Sequence, residues 1–113
     1  MPPFDPWTTV TVPFPYTDRS TRQRRPAVVI SGPRLQEAHG LLWVAMITSA
    51  ENAPWADDVP ITLLAEAGLP APSVCRAVKV ATIQAGDAVR LGRLAPADSE
   101  RVARTLGELL ARA

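Results

Sequence analysis

The chain has 113 residues, of which 47% are hydrophobic and 20% charged, a composition typical of a folded globular protein and too apolar for a disordered one. This length predicts a single domain spanning residues 1–113. The formal net charge of +1 excludes a chain that is polycationic overall.

Chemically reactive side chains are few. The one cysteine, Cys75, cannot form an intramolecular disulfide, and the one histidine, His39, cannot anchor a site with several histidine ligands. No carboxylates have ligand spacing, so neither a metal nor another cofactor is expected. A nucleophilic pair of Cys75 with His39 stays open, although a buried inert thiol is the usual state of a cysteine in an apolar strand.

The sequence also carries no targeting signal that we recognise. Its first residues lack the basic and apolar regions of a secretory signal, and the longest apolar run, residues 41–47, is too short to cross a bilayer. A reduced, cytoplasmic protein is therefore expected.

Runs of β-branched residues between turn residues predict a mainly β chain. Pro13 indicates that the first strand ends there or lies at an edge of the sheet. Turns are expected at residues 32–33, 52–58, 67–72 and 85–87, and His39 is expected in a loop. The predicted strands cover residues 8–14, 26–31, 41–48, 59–63, 73–83 and 89–94.

The last segment changes period and predicts a C-terminal amphipathic helix. Pro96 suits the first helical turn, and Asp98 and Glu100 suit its positive dipole end. Five or six short strands followed by one helix indicate an α+β fold, a small barrel or strongly bent sheet carrying that helix. The apolar positions at helical spacing are Val102, Leu106, Leu109 and Leu110.

Basic charge is concentrated in the loop between the first two strands, residues 16–25, where four arginines and one aspartate give +3. The third strand ends in the hydroxyls of Thr48 and Ser49. Guanidinium groups near hydroxyls favour anion recognition, and Trp7, Tyr16 and Trp55 offer surfaces on which bases stack. Composition and spacing leave two interpretations open: a solvated loop, or a binder of anions or nucleic acid.

Several blocks of the chain resemble the MazF/PemK-type toxins of bacterial type II toxin–antitoxin systems. They are residues 12–18 (VPFPYTD), 25–31 (RPAVVIS), 47–49 (ITS), 68–70 (GLP) and 92–94 (GRL), in that order. The resemblance implies an SH3-like barrel of five to seven strands with a terminal helix, usually a homodimer. It also implies a metal-independent endoribonuclease that cuts single-stranded messenger RNA and arrests growth.

In such cleavage the ribose 2′-hydroxyl attacks its own phosphorus and leaves a 2′,3′-cyclic phosphate and a 5′-hydroxyl. Arg25 matches the catalytic arginine of the family and Thr48 the catalytic threonine. The family also implies a partner antitoxin whose acidic C-terminal segment covers the RNA groove. The expected RNA-binding residues are Tyr16, Arg19, Arg22, Arg24, Ser49, Trp55, Arg76 and Lys79.

Two departures from the family stand out. Its first strand usually opens with Gly-Asp, where this chain has Trp7-Thr8. Several members also carry a carboxylate, the proposed general base, at the position of Val78. Two alternatives therefore stay open: a CcdB-like toxin that binds DNA gyrase without cleaving anything, and a catalytically silent member that binds RNA or the antitoxin.

Overall fold

A computed structural model of the chain describes residues 4–13 and 23–111, and in these ranges six strands form one antiparallel sheet. The strand order is β4-β5-β3-β2-β1-β6. The predicted fold class, mainly β with a C-terminal helix, is confirmed. The elements in chain order are β1 (Thr8–Pro13), β2 (Arg24–Val29), α1 (Pro33–His39), β3 (Leu41–Ser49), β4 (Asp58–Pro60), α2 (Leu64–Ala67), β5 (Ser73–Gln84), a 3-10 turn (Ala85–Asp87), β6 (Val89–Arg93) and α3 (Pro96–Leu109).

Each predicted strand is present, with its limits displaced by at most three residues. β1 ends at Pro13 as expected, although it lies inside the sheet between β2 and β6. The loop predicted around His39 is wrong, because His39 is the last residue of α1. Helix α1 has seven residues, no side-chain cap and no buried residue, so its sequence carries no helical periodicity. Helix α2 also escaped prediction, because four residues are too few to show a helical period.

The apolar residues of the central strands divide between the two faces of the sheet. Val28 and Ala45 belong to one cluster, which Val102 of α3 completes. Ala27 and Val44 belong to the other cluster, on the opposite face. Because both faces are covered, β2 is apolar at successive positions instead of alternating. In the described part of the chain no helix has the length and apolarity that a membrane span requires.

Strand β5 bends where its pairing with β3 slips. Ala45 pairs with Val80, but the next residue, Met46, pairs with Arg76, so residues 77–79 have no partner in β3. Extra residues in one strand increase its local twist and bend it. The bend lets the first part of β5 pair with β3 on one side and β4 on the other.

Helix α2 packs against strand β6 at one edge of the sheet. The described residues contain no pairing of β4 with β6, so the sheet is an open approximation of an SH3-like barrel. A Cβ at Gly92 of β6 would overlap the carbonyl oxygen of Glu66 in α2. The hydroxyl of Thr9 also donates a hydrogen bond of 2.6 Å to the carbonyl of Ala67. Helix α2 therefore packs directly on the backbone of β6 and is tied to β1.

Gly92→Ala is expected to destabilise the fold by about 2–3 kcal/mol, because α2 must move away from β6 to admit the methyl group. Gly107→Ala is the control: its Cβ would meet nothing within 4 Å, and alanine within α3 should stabilise the protein by about 0.5–1 kcal/mol. Urea unfolding of both variants checks this, and equal midpoints would contradict the close packing of α2 on β6.

The departure at Trp7 has a conformational explanation. Trp7 has a φ of 73°, in the left-handed region that favours glycine, the residue usual at this position in the family that the chain resembles. Its amide donates to the carbonyl of Val29 at 2.7 Å, and its side chain packs against the cluster that contains Val28. Trp7 thus packs against the core in this fold, and its use as a surface for stacking bases stays a prediction.

Candidate functional site

Arg25 and Thr48 lie near the ends of β2 and β3. The last pair that these two strands form is Ala27 with Met46, in an antiparallel register. Arg25 and Thr48 each lie two residues beyond that pair, at the same end of the two strands, and side chains two residues apart in a strand project from the same face. The two residues that the family resemblance marks as catalytic therefore share a face and an end of the sheet.

The two neighbouring arginines of β2 differ in their environment. Arg25 is exposed, and its Nη2 donates a hydrogen bond of 3.0 Å to Oε1 of Gln23. Arg24 projects from the other face, where its Nη2 donates to the carbonyls of Thr11 and Asp87, each at 2.6 Å. Arg24 thus ties β1 to the turn before β6, and its expected contact with RNA stays a prediction.

Thr48 and Ser49 are both held by the turn that follows β3. Oγ1 of Thr48 accepts a hydrogen bond of 2.5 Å from Nδ2 of Asn52. Oγ of Ser49 accepts one of 3.1 Å from the amide of Glu51. The hydroxyl of Ser49 therefore stabilises the turn, and its contact with RNA stays a prediction. Asn52 escaped sequence analysis, since an asparagine in a predicted loop carries no distinguishing signal.

Arg76 forms a two-pronged ion pair with Asp58 across β5 and β4. Its Nε and Nη2 each donate a hydrogen bond of 3.0 Å to a different oxygen of Asp58. Nη2 also donates to the carbonyl of Ala53 at 2.9 Å. The side chains of Arg76 and Asp58 are only 11% and 9% exposed. Arg76 thus braces the loop of residues 52–58, and its expected contact with the RNA backbone stays a prediction.

Trp55 lies at the surface of this loop against two cations. The guanidinium carbon of Arg76 is 4.2 Å from the centroid of the Trp55 ring, and Nζ of Lys79 is 5.3 Å from it. The amide of Trp55 also donates to Asp58 at 2.9 Å. Trp55 nevertheless remains 44% exposed, so an aromatic surface is available beside positive charge.

The pKa of Asp58 lies below its ordinary value of 3.8. Partial burial raises this pKa, but the hydrogen bonds from Arg76 and from the amide of Trp55, with the positive charge of Arg76, outweigh burial. A carboxylate with a lowered pKa contributes stability above its ordinary pKa, and that stability is lost as the pH falls through the folded-state pKa.

Asp58→Asn is expected to lower the free energy of unfolding at pH 7 by about 1–3 kcal/mol, because hydrogen bonds to a charged acceptor are lost. The variant should also lose less stability than the wild type as the pH falls below 4. Urea unfolding at pH 7 and pH 3 measures both effects. Asp57→Asn, which changes the exposed neighbour, is the control, and its free energy of unfolding should match that of the wild type within about 0.5 kcal/mol. If the stability of Asp58→Asn varied with pH as that of the wild type does, the stabilising role of the Arg76–Asp58 ion pair would be contradicted.

Cys75 and Val78 do not supply reactive groups to the site. Cys75 is buried, as predicted, and burial together with the charge of Asp58 raises its pKa to about 12, which keeps the thiol protonated. His39 is exposed on α1. Val78 is 44% exposed and lies in the unpaired stretch of β5. The described residues include no group of three His, Cys, Asp or Glu side chains that could hold a metal ion.

Three of the expected RNA-binding residues, Tyr16, Arg19 and Arg22, lie outside the described residues. The candidate site in the described residues therefore consists of Arg25 and Thr48 at the ends of β2 and β3 and of one braced aromatic loop, joined to them through the turn after β3. Its members are Arg25, Thr48, Asn52, Trp55, Asp58, Arg76 and Lys79.

The comparisons with known proteins agree on one group. A model of the PemK-like, MazF-like toxins of type II toxin–antitoxin systems matches residues 6–110. A MazE-MazF complex from Deinococcus radiodurans has a TM-score of 0.73 at 22% identity, covering 96% of each chain. An endoribonuclease in complex with its cognate antitoxin from a mycobacterial species also has a TM-score of 0.73, at 13% identity and 100% of both chains. No curated protein matches the sequence.

Similarity extends to the Mycobacterium tuberculosis toxin MazF-mt6, with a TM-score of 0.66 and 22% identity over 88% of this chain and 92% of that one. At such identities the structural likeness establishes the fold. The match to residues 6–110 covers nearly the whole chain and includes both strands that carry Arg25 and Thr48.

Proposed function

The chain belongs to the PemK-like, MazF-like toxins of type II toxin–antitoxin systems, and from that premise we propose that it is a metal-independent, sequence-selective endoribonuclease that cleaves single-stranded messenger RNA and thereby arrests growth. The observation that supports this proposal is the antiparallel register of β2 and β3, in which Arg25 and Thr48 each lie two residues beyond the last pair, Ala27 with Met46, at the same end of the sheet. Both residues match the catalytic positions of the family.

The proposed reaction needs only the RNA, the protein and solvent water. The ribose 2′-hydroxyl gives its proton to water and its oxygen bonds to the adjacent phosphorus, the bond from phosphorus to the 5′-oxygen breaks, and the leaving oxygen takes up a proton from water. Negative charge grows on the non-bridging oxygens in the transition state. The fixed charge of Arg25 and the hydroxyl of Thr48 stabilise these oxygens, each by about 3 kcal/mol if it acts like a donor of an oxyanion hole.

Proton removal from the 2′-hydroxyl differs in this chain. Position 78 holds valine, and Asp58 is a poor substitute for the missing carboxylate because both its oxygens accept hydrogen bonds from Arg76 and its pKa is lowered. Water is then the acceptor. General-base catalysis is worth about 10²–10⁴-fold in rate. We therefore expect this chain to cleave RNA more slowly than family members that carry the carboxylate.

RNA binding is assigned to the braced loop and the basic residues around it. Trp55 offers its exposed ring to an unpaired base, an interaction worth about 1–3 kcal/mol per stacked base. Arg76 contributes by holding Trp55 and the loop, and Lys79 adds charge beside the ring. The remaining proposed contacts, carried over from sequence, are Tyr16, Arg19, Arg22, Arg24 and Ser49.

Two protein partners are proposed. One is an antitoxin with an acidic segment that binds over the basic site. It is supported by the family and by the neighbouring structures, which include MazE-MazF complexes. The other is a second copy of the chain. An exposed apolar surface supports a homodimer, since Trp43, Val80 and Leu110 are 51%, 43% and 71% exposed.

The direct test compares nucleic acids of one mixed sequence. We expect the purified protein in EDTA to cut single-stranded RNA and to leave the matching single-stranded DNA intact, because only RNA has the attacking 2′-hydroxyl. RNA that is bound but never cut would favour the catalytically silent alternative, which the valine at position 78 supports. Inhibition of gyrase supercoiling with intact RNA would favour the CcdB-like alternative.

A further inference from the structure

The hydroxyl of Thr48 has a defined direction. Nδ2 of Asn52 can only donate, so at 2.5 Å it occupies a lone pair of Thr48 Oγ1. The hydroxyl hydrogen must then point away from Asn52. The hydroxyl keeps its hydrogen and one further lone pair for a ligand, and a phosphoryl oxygen can accept only from the hydrogen.

Asn52 is itself fixed from both sides. Its amide donates a hydrogen bond of 3.1 Å to the carbonyl of Ser49, and the amide of Ala50 donates one of 3.0 Å to the carbonyl of Pro72, the residue before β5. The following residue, Ala53, is held through its carbonyl by Arg76 at 2.9 Å. The backbone of Asn52 therefore lies between two anchored points, and its side chain is directed back at the end of β3.

We propose that Asn52 is a positioning residue, which holds the Thr48 hydroxyl so that its hydrogen is aimed at the phosphoryl oxygen of the RNA. This inference rests on the proposed function, since it assigns Asn52 a role in the same cleavage. Asn52 acts through Thr48 and touches no reacting atom. A preorganised donor is worth more than a freely rotating one, because no reorganisation is needed as charge develops.

Reversing the polarity of residue 52 tests this role. In Asn52→Asp the carboxylate accepts the hydroxyl hydrogen and turns it away from the RNA, so kcat should fall by about 100-fold, as when an oxyanion donor is removed. In Asn52→Ala the hydroxyl rotates freely, and kcat should fall only about 10-fold. KM should change little in Asn52→Ala. A role in the turn alone would give the opposite order, because aspartate preserves the shape of asparagine better than alanine does.

Two controls separate this effect from charge and folding. Ala50→Asp adds the same charge at an exposed position of the same turn, and it should retain nearly the wild-type kcat. In a Thr48→Ala background, Asn52→Asp should add less than a twofold effect, since the two residues act as one unit. Circular dichroism of each variant verifies that it is folded.

Each result has one interpretation. An Asn52→Asp variant as active as Ala50→Asp, or a full additional loss in the Thr48→Ala background, would overturn the role of Asn52 while the nuclease stands. If the wild type itself cuts no single-stranded RNA, the proposed function fails and the role of Asn52 with it.

Discussion

Arg25→Ala is expected to lower kcat for cleavage of single-stranded RNA by about 10²–10³-fold, the loss typical of removing one oxyanion donor. The reason is geometric and electrostatic. Arg25 is exposed, lies at the same end of the sheet as Thr48, each two residues beyond the pair of Ala27 with Met46, and carries a positively charged guanidinium group. Alanine removes that charge without disturbing the core, since the side chain of Arg25 is not buried.

Related substitutions sharpen this prediction. Arg25→Lys should recover only part of the rate, because an ammonium group cannot form the paired hydrogen bonds of a guanidinium. Thr48→Ser should keep the hydroxyl and most of the cleavage rate. Thr48→Ala should lower that rate by about the factor expected when one oxyanion-hole donor is removed. Arg34→Ala on α1 is the matched control, since it removes an exposed arginine outside the site. Single-turnover cleavage measures each rate, and equal rates for Arg25→Ala and Arg34→Ala would contradict the assignment.

Asp98→Ala is expected to have the largest effect on stability, about 2–4 kcal/mol. The carboxylate of Asp98 is fully buried at the start of α3. It accepts hydrogen bonds of 2.9 Å from both the amide and the hydroxyl of Thr62, and it pairs with Arg101 one turn later. Alanine removes these acceptors together and releases the start of α3 from the segment between β4 and α2.

Thermal melts of Asp98 variants test whether this carboxylate anchors the start of α3. For a domain of about 100 residues, 1 kcal/mol corresponds to roughly 4–8 °C, so Tm should fall by more than about 8 °C in Asp98→Ala. Asp98→Asn should lose less, because an amide oxygen still accepts from Thr62. Glu100→Ala, at an exposed position of the same helical turn, should leave Tm within about 3 °C. A melt of Asp98→Ala that overlays Glu100→Ala would refute the anchoring role.

The strands and the terminal helix were predictable because their signals are local. Residues 26–31 are apolar at successive positions, which is what a strand covered on both faces requires, and β2 indeed has a core cluster on either side. The period of Val102 and Leu106 likewise predicts α3. Helix α1 lacks such a pattern, since it is short, uncapped and has no buried side chain.

The polar contacts of the site were largely beyond sequence reasoning because they join distant positions. Asp58 and Arg76 are 18 residues apart and meet only because β4 pairs with the start of β5. Arg24 reaches a carbonyl 63 residues away, at Asp87. Asp98 illustrates the same limit: its position suited a helix dipole, but nothing local indicated that it is buried against Thr62.

The chemistry of the new ends in cut RNA tests the proposal that Arg25 and Thr48 cleave RNA most directly. A long RNA of mixed sequence is incubated in EDTA with the wild type or with Arg25→Ala, and the new termini are sequenced and identified by mass spectrometry. We predict cuts at a few recurring sequences, each with a 2′,3′-cyclic phosphate and a 5′-hydroxyl, that are strongly reduced with Arg25→Ala. Termini with a 5′-phosphate, or cuts that persist unchanged in Arg25→Ala, would contradict the account.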